Sequence, residues 1–432
     1  MKLLALAFTA GLFISCATAS FHQVDGALNG GDYEESARLL EDKRSSLYGS
    51  GDEILYYLDK GILTHYGELY KESSGLMEAG ERAIEDAYTK SIVQEIGTYL
   101  FNDNVRDYAG EDYEDIYINS FNALNYYHRG DTEGALVEIR RMNNKVRNLA
   151  DKYGALTSNL QKKALEESLT IPPNPQAPSA FNDSALARYL GMLFYRGSGY
   201  RDDARIDGNY LRLAFANSPG LYPHPLPSSL EDELNIPPGM ARLNLLAFAG
   251  LAPVKKAQTL RLPIGEGRYV KIALPELVYR PSQVNRIELV FDDGRRFSLE
   301  LLEDIQAIAG ETFKARQDVI YLKSIIRASL KSAGSVVLDN MAEKSEGGAA
   351  AIYSLLSFGA QIFAEASEQA DLRISRYFPA RAYVGGITLD PGFYSFDVVY
   401  YHASGKAVAS FRHEAVPVLE NRLNLVEAVC LK

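Results

Sequence analysis

Six histidines, an acidic block between residues 102 and 115, and two cysteines are the side chains of this chain best suited to chemistry. His22, His65, His128, His224, His402 and His413 include no pair at the helical spacing of a metal site, and no H-E-x-x-H, C-x-x-C, P-loop, G-x-S-x-G or G-x-G-x-x-G pattern occurs. The stretch from Asn102 to Asp115 gathers the carboxylates Asp103, Asp107, Glu111, Asp112, Glu114 and Asp115. Calcium would need several oxygens converging on one point, and the EF-hand spacing is not met. A solvated loop carrying negative charge into a helix N-terminus is expected instead, with a partner-binding rim as the second reading. Tyr48-Gly49-Ser50-Gly51-Asp52 reads as a turn into an Asp-assisted helix start. No enzyme activity, metal or cofactor is expected.

Cysteine chemistry is concentrated at the N-terminus. Met1-Lys2, an apolar run from Leu3 to Ile14, and Ser15-Cys16 form a charged n-region, a short h-region and a small residue before cysteine. Phe13-Ile14-Ser15-Cys16 resembles the lipobox of bacterial lipoproteins, which implies a lipid on the Cys16 thiol and removal of the preceding residues. Two alternatives stay open: cleavage at Ala17-Thr18-Ala19 to release a soluble periplasmic protein, and an uncleaved anchor. The expected address is the bacterial cell envelope, lipid-anchored at the outer membrane and facing the periplasm. Cys430 lies in an apolar stretch, Leu425 to Cys430, and reads as a buried strand thiol.

The elements that would position such groups fall into two compositions. The chain has 432 residues and a formal net charge of -11, which argues against nucleic acid as a partner. Between Ala17 and Met240 stand 21 basic and 35 acidic residues, a balance of -14, whereas the remainder is near neutral. The acidic half carries a recurring helix, glycine turn and small residue: Leu28 to Ala37, Leu63 to Ser73, Leu124 to Ala135, and more weakly Leu193 to Ala204. Glycine would end the first helix at positive φ, and Ser or Ala would let the second approach closely. Gly31 and Gly67 are 36 residues apart, near the tetratricopeptide length of about 34, and the later spacings of 63 and 69 suggest undetected intervening pairs.

Proline then punctuates the chain. Ile171 to Pro178 is expected to be an extended connector, and the clusters from Pro219 to Pro238 close the helical part. Beyond them the period shortens towards two. Strands are expected over 242–248, 258–263, 269–274, 286–291 and 296–301, with Asp292-Asp293-Gly294-Arg295 as a hairpin turn. A helical excursion over about 302–370 precedes strands at 371–379 and 389–401. Within it, residues 347–364 carry no charge and are expected to form a buried helix against 319–337, with membrane insertion or oligomerisation as alternatives.

Gly51 to Gly61, Tyr88 to Ser91, Tyr108 to Glu114, Ala123 to Tyr126, and Glu368 to Arg373 together resemble a largely uncharacterised family of bacterial envelope lipoproteins with tetratricopeptide-like N-terminal halves. Some members are associated with lipoprotein activators of peptidoglycan synthases, so the resemblance implies an envelope-assembly context and no catalytic residues.

The expected fold is multidomain α + β: a signal segment and lipidation cysteine at 1–16, a tetratricopeptide-like helical solenoid at 21–240, and a β-sandwich-like domain at 241–432 interrupted by a helical hairpin. The expected function is that of a non-enzymatic, lipid-anchored adaptor. A protein or peptide of the envelope would bind the groove made by the first helices of successive repeats, through exposed Tyr56, Tyr57, Asn102, Asp103, Asn104, Tyr108, Glu111, Asp112, Tyr113, Asn125 and Tyr126. The alternative is an envelope binding protein holding a small or lipidic ligand between the two halves.

Overall fold

The computed structural model describes residues 21–93, 107–166, 180–265, 268–317, 319–320, 324 and 370–432. Cys16, Asn102, Asp103, Asn104, the connector 171–178 and the uncharged stretch 347–364 lie outside them. The chain is a mixed α + β protein whose element type changes at residue 241, where the acidic composition also ends.

Among the described residues four helical hairpins make up the first half. They are α1 (His22–Gly30) with α2 (Tyr33–Asp42), α4 (Glu53–Tyr66) with α5 (Tyr70–Val93), α6 (Asp112–His128) with α7 (Thr132–Glu166), and α8 (Ala185–Gly197) with α9 (Arg201–Asn217); the short α3 (Arg44–Leu47) joins the first two. Three turns work as the glycines require, since Gly31, Gly130 and Gly199 have φ of 83°, 80° and 83°. The second turn departs from expectation: Gly67 sits at φ -80° and Glu68 takes the left-handed position at 61°. Gly67 is needed for clearance, because a Cβ there would stand 3.2 Å from the backbone nitrogen of Glu34. The small residues Ser36, Ala37, Ser73, Ala135 and Ala204 are all buried where helices meet. No intervening helical pair occurs among the described residues. The long spacings arise because α5 has 24 residues and α7 has 35.

Among the described residues ten strands follow: β1 (Ala241–Leu251), β2 (Val254–Gly265), β3 (Arg268–Val278), β4 (Arg286–Phe291), β5 (Arg296–Ser298), β6 (Glu300–Asp304), β7 (Pro379–Leu389), β8 (Gly392–Tyr401), β9 (Ala407–Val418) and β10 (Asn424–Cys430). One sheet has the order β10-β1-β7-β6, another β5-β4-β8-β9, and β2-β3 form a separate ribbon. The expected hairpin turn is present, with Gly294 at φ 86°. The expected strand 296–301 instead divides at Leu299, β5 staying with β4 while β6 crosses to pair with β7. Residues 305–317 are helical (α10), so the helical excursion opens three residues later than expected. The segment 371–378 is not a strand; pairing begins at Pro379. Cys430 is a buried thiol in β10, as expected.

The period of two along β1 explains how the layers stack. Leu246 and Phe248 belong to the core shared with the helices, while Leu243, Leu245, Ala247 and Ala249 belong to the core between the two sheets. The apolar core of the helical half therefore continues through the first sheet, taking in Leu302, Ile305, Tyr377, Phe378, Val384 and Val429. Phe121 on α6 meets both Phe248 and Phe378, with ring centroids 5.0 and 5.8 Å away.

Candidate functional site

The sequence blocks 51–61 and 108–114, with the described part of the last block, 370–373, converge on the junction between helices and sheet. Glu111 and Glu114 make a capping box at the start of α6, which turns both carboxylates towards the fold interior. Lys255 Nζ on β2 lies 2.5 Å from Glu111 Oε1, and Arg316 Nη1 on α10 lies 2.9 Å from the same oxygen. Lys255 also donates to the carbonyl of Arg373 at 2.9 Å. Arg373 in turn pairs with Asp371 at 2.9 Å and with Asp52 at 3.2 Å. Asp52 thus ties the loop before α4 to residue 373 and makes no side-chain cap on its own helix.

Two buried carboxylates clamp the segment 371–378 between these elements. Glu114 accepts from Tyr108 Oη at 2.7 Å and from the backbone nitrogens of Glu111 and Ser375 at 2.8 and 2.6 Å. Burial, with Glu111 beside it, pushes the Glu114 carboxyl up to about 7. Asp59 accepts from Ser375 Oγ and the Arg376 backbone nitrogen, both at 2.7 Å, and from Tyr48 Oη at 2.8 Å. Burial raises its pKa as well. Carboxyls with raised proton affinity suit acid-base work, yet each is already met by three protein donors. Their arrangement holds a chain segment in place.

Three further polar clusters seam the halves. His65 on α4 lies with Nδ1 2.8 Å from Asn125 Oδ1 and Nε2 2.7 Å from Glu427 Oε1 on β10. Asn125 donates its amide to Ser73 Oγ at 2.9 Å, so its Oδ1 accepts and His65 donates at both nitrogens, as an imidazolium. Burial opposes that charge, but Glu427 outweighs it and the imidazole pKa is raised. Burial likewise opposes the Glu427 charge, and His65 and His128 nevertheless hold the carboxyl down to about 2. His128 Nε2 is 3.2 Å from Glu427 Oε2 and its ring stacks on Tyr70 at 4.4 Å. Glu303 on β6 accepts from Tyr117 Oη, Tyr222 Oη, Ser184 Oγ and the Ala185 nitrogen at 2.5, 2.7, 2.8 and 2.7 Å, serving the N-terminus of α8. Glu233, fully buried, pairs with Arg196 and Arg242, and Asn244 donates to it at 2.8 Å. Among the described residues no three His, Cys, Asp or Glu side chains are grouped to hold a metal ion.

This geometry corrects the expected exposed face. Tyr108, Glu111, Asp112 and Tyr113 are buried, as are Tyr56, whose hydroxyl donates to Glu41, and Asn125. Tyr57 is half-buried and donates to Glu53 at 2.6 Å; Tyr126 is half-buried and donates to Glu78 at 3.0 Å. Within the described part of the acidic block Glu111, Asp112 and Glu114 are interior, Asp115 is half-buried, and Asp107 alone stays exposed as the solvated-loop reading requires. The physical reason is that the first helices α4, α6 and α8 turn inward onto the β sheet and the segment 371–378, so the chain itself fills the face expected to receive a partner. Phe121, Phe248, Tyr377 and Phe378 pack together at the junction between the halves.

Two open clefts lie along the second helices, and a third of about 530 Å³ lies elsewhere, lined by Asn29, Gln283, His402 and Lys432 among others. A cleft of about 710 Å³ runs between α5 and α7, lined by Glu78, Glu81, Glu85, Tyr126, Val137 and Arg141 among others. Another of about 300 Å³ lies between α7 and α9. No motif or spacing in the sequence singles out Asp59, His65, Lys255, Glu303 or Glu427. A signal for the first two was present: α4 is apolar on nearly every side, so Asp59 and His65 had to be buried within it. No family model, curated protein or solved structure matches the chain.

Proposed function

We propose that the protein is a non-enzymatic adaptor of the bacterial cell envelope, anchored by lipid on Cys16, which binds an envelope protein or peptide through its helical half. In this reading the four hairpins form a tetratricopeptide-like solenoid and the β-rich half is a β-sandwich-like support with an inserted helical hairpin. The observation that carries it is the division of labour between helices. The first helix of each of the last three hairpins is committed to the interior, while the second helices α5, α7 and α9 present clefts to solvent. Occupation of the inner face by residues 371–378 moves the contact surface to that outer side. The satisfied carboxylates favour a structural over a catalytic role for the junction.

A photo-crosslinkable residue at Glu85, Val137 or Tyr210 of the full chain, compared with one at Phe393 on β8, tests the reading in intact envelopes. Val137 and Phe393 are both exposed, at 42% and 76%. The expected result is one recurrent protein adduct from the outer helical positions and none from Phe393. Adducts confined to Phe393, or none anywhere, would overturn it.

A further inference from the structure

The last hairpin ends on an apolar row. The inner side of α9, with Ala204, Gly208, Leu211 and Ala214, is buried, whereas Ile206, Tyr210 and Leu213 follow at i, i+4 and i+7 on the opposite side and are 49, 46 and 48% exposed. A terminal unit of a stacked helical array ordinarily keeps a polar outer face, because nothing of its own chain follows to cover it. Here that face is apolar over two helical turns, about 10 Å.

Beside the row lies the cleft between α7 and α9, with Arg188 and Tyr195 of α8 in its lining. Asn143 lines this cleft from α7, is buried, and its Oδ1 has no hydrogen-bond partner. A buried acceptor left unmet is uncommon in a folded protein and calls for a donor. Arg140 and Arg147 occupy the same wall one heptad apart and are exposed. Arg140 donates to Tyr195 Oη at 3.2 Å and Arg147 to Asn144 Oδ1; among the described residues neither makes an ion pair, although Arg147 partly offsets the burial that raises the Asp183 carboxyl, and Asp203 and Asp207, the latter paired with Arg188, share the cleft lining.

We propose that this groove binds an amphipathic helix of a partner protein, its apolar side covering Ile206, Tyr210 and Leu213 and its carboxylates meeting Arg140 and Arg147. The inference rests on the adaptor reading and names its site and the chemistry of its partner. The net charge of the helical half does not reverse the preference at contact, since charges beyond a Debye length of about 8 Å are largely screened at physiological salt. Helix-in-groove recognition through i, i+4 and i+7 anchors needs only the two turns available.

The test is a displayed library of helical peptides with leucine fixed at i, i+4 and i+7 and the flanking positions free among Asp, Glu, Lys and Arg, selected on the full chain carrying Cys16→Ala. Acidic flanks should be enriched, and Ile206→Asp should weaken binding of the selected peptides about 30-fold or more, as loss of a central anchor does. The double variant Arg140→Glu, Arg147→Glu should turn selection towards basic flanks. All three positions are exposed, and an unchanged thermal melt confirms that each variant is folded. Enrichment of basic flanks by the parent chain, no enrichment, or binding indifferent to Ile206→Asp would overturn the proposal. A concentration-dependent dimer abolished by Ile206→Asp would assign the face to a second copy instead, and vesicle binding abolished by it would assign the face to lipid; either overturns a partner helix. Continued crosslinking from Val137 under any of these outcomes leaves the adaptor reading standing while this site falls.

Discussion

Replacing Glu427 by Gln probes the seam where β10 meets the helices. The carboxyl sits at about 2 in the folded chain against 4.5 for an ordinary glutamate. At about 1.4 kcal/mol per unit, that displacement corresponds to about 3 kcal/mol, consistent with the cost of breaking a buried ion pair. The raised His65 pKa reports the same interaction from the other side and is not added to it. A depressed carboxyl stabilises the fold above its unfolded value and loses that contribution as pH falls from 4.5 towards 2. A raised imidazole stabilises it below 6.5 and loses that contribution as pH rises through its folded value. The difference between parent and Glu427→Gln should therefore be largest, about 3 kcal/mol, between pH 4.5 and 6.5. It should shrink on both sides, and more so in alkali, where a Gln amide can donate to the neutral His65 Nε2 while a carboxylate cannot. Urea melts followed by tyrosine fluorescence suit a chain with 28 Tyr and no Trp. A gap constant from pH 3 to 9, or one widening above pH 8, would refute a charged His65–Glu427 pair.

Two glycines separate strain from clearance. Gly31→Ala, at φ 83° with open space around it, should cost about 1–2 kcal/mol through backbone strain. Gly67→Ala, at an ordinary φ but with its Cβ 3.2 Å from backbone of α2, should cost a similar amount, about 1–3 kcal/mol, through displacement of that helix. Replacing Gly31 with Asn, which tolerates the left-handed region, should recover much of the first loss, whereas Gly67→Asn should be at least as harmful as Gly67→Ala; thermal melts decide. Asp59→Asn turns an amide towards one of three donors and should lower stability by about 1–3 kcal/mol. Amide exchange should then quicken at Ser375 and Arg376 before it quickens in α8 and α9, and uniform quickening would deny Asp59 its local role. Cys16→Ala should abolish labelling by a palmitate analogue and release the protein from membranes, and unchanged labelling would dismiss lipidation at this residue.

Local signals in the sequence were accurate where the structure is made by neighbours in the chain. The glycine turns of three hairpins, the small residue of each of the four, the Asp-Asp-Gly-Arg turn and the change of period at residue 241 all depend on contacts within a dozen residues. The junction depends on contacts across hundreds. Tyr33 donates to the carbonyl of Val429, 396 positions away, and His65 meets Glu427 across 362. Hydrophobic periodicity cannot foresee which face of α4 or α6 such a partner will cover. Tyrosine and asparagine were read as exposed because they commonly populate binding surfaces, yet Tyr108, Tyr113 and Asn125 are polar groups buried with partners or in apolar surroundings that only the assembled fold supplies.

The continuity of the core bears on where binding can reside. Detached from the β-rich half, the helices would expose Phe121 and lose Glu427 from His65, Glu303 from the start of α8, and Ser375 and Arg376 from Asp59 and Glu114. Each of these separations gives up a hydrogen bond or ion pair, at about 0.5–1.5 kcal/mol apiece for neutral groups and about 1.5–3 kcal/mol for charged ones, and returns apolar surface to water as well. A folded domain has only about 5–15 kcal/mol to lose. The helical half therefore draws its shape from the sheet it covers, and the outer faces of α5, α7 and α9 are held in position by contacts made on the opposite side of the same hairpins. On the adaptor reading proposed above, a partner seated on that outer surface would read a geometry set by the seam beneath it, so contact experiments belong on the whole chain, and variants such as Glu427→Gln, at a residue that lines none of the clefts described, would bear on binding through stability.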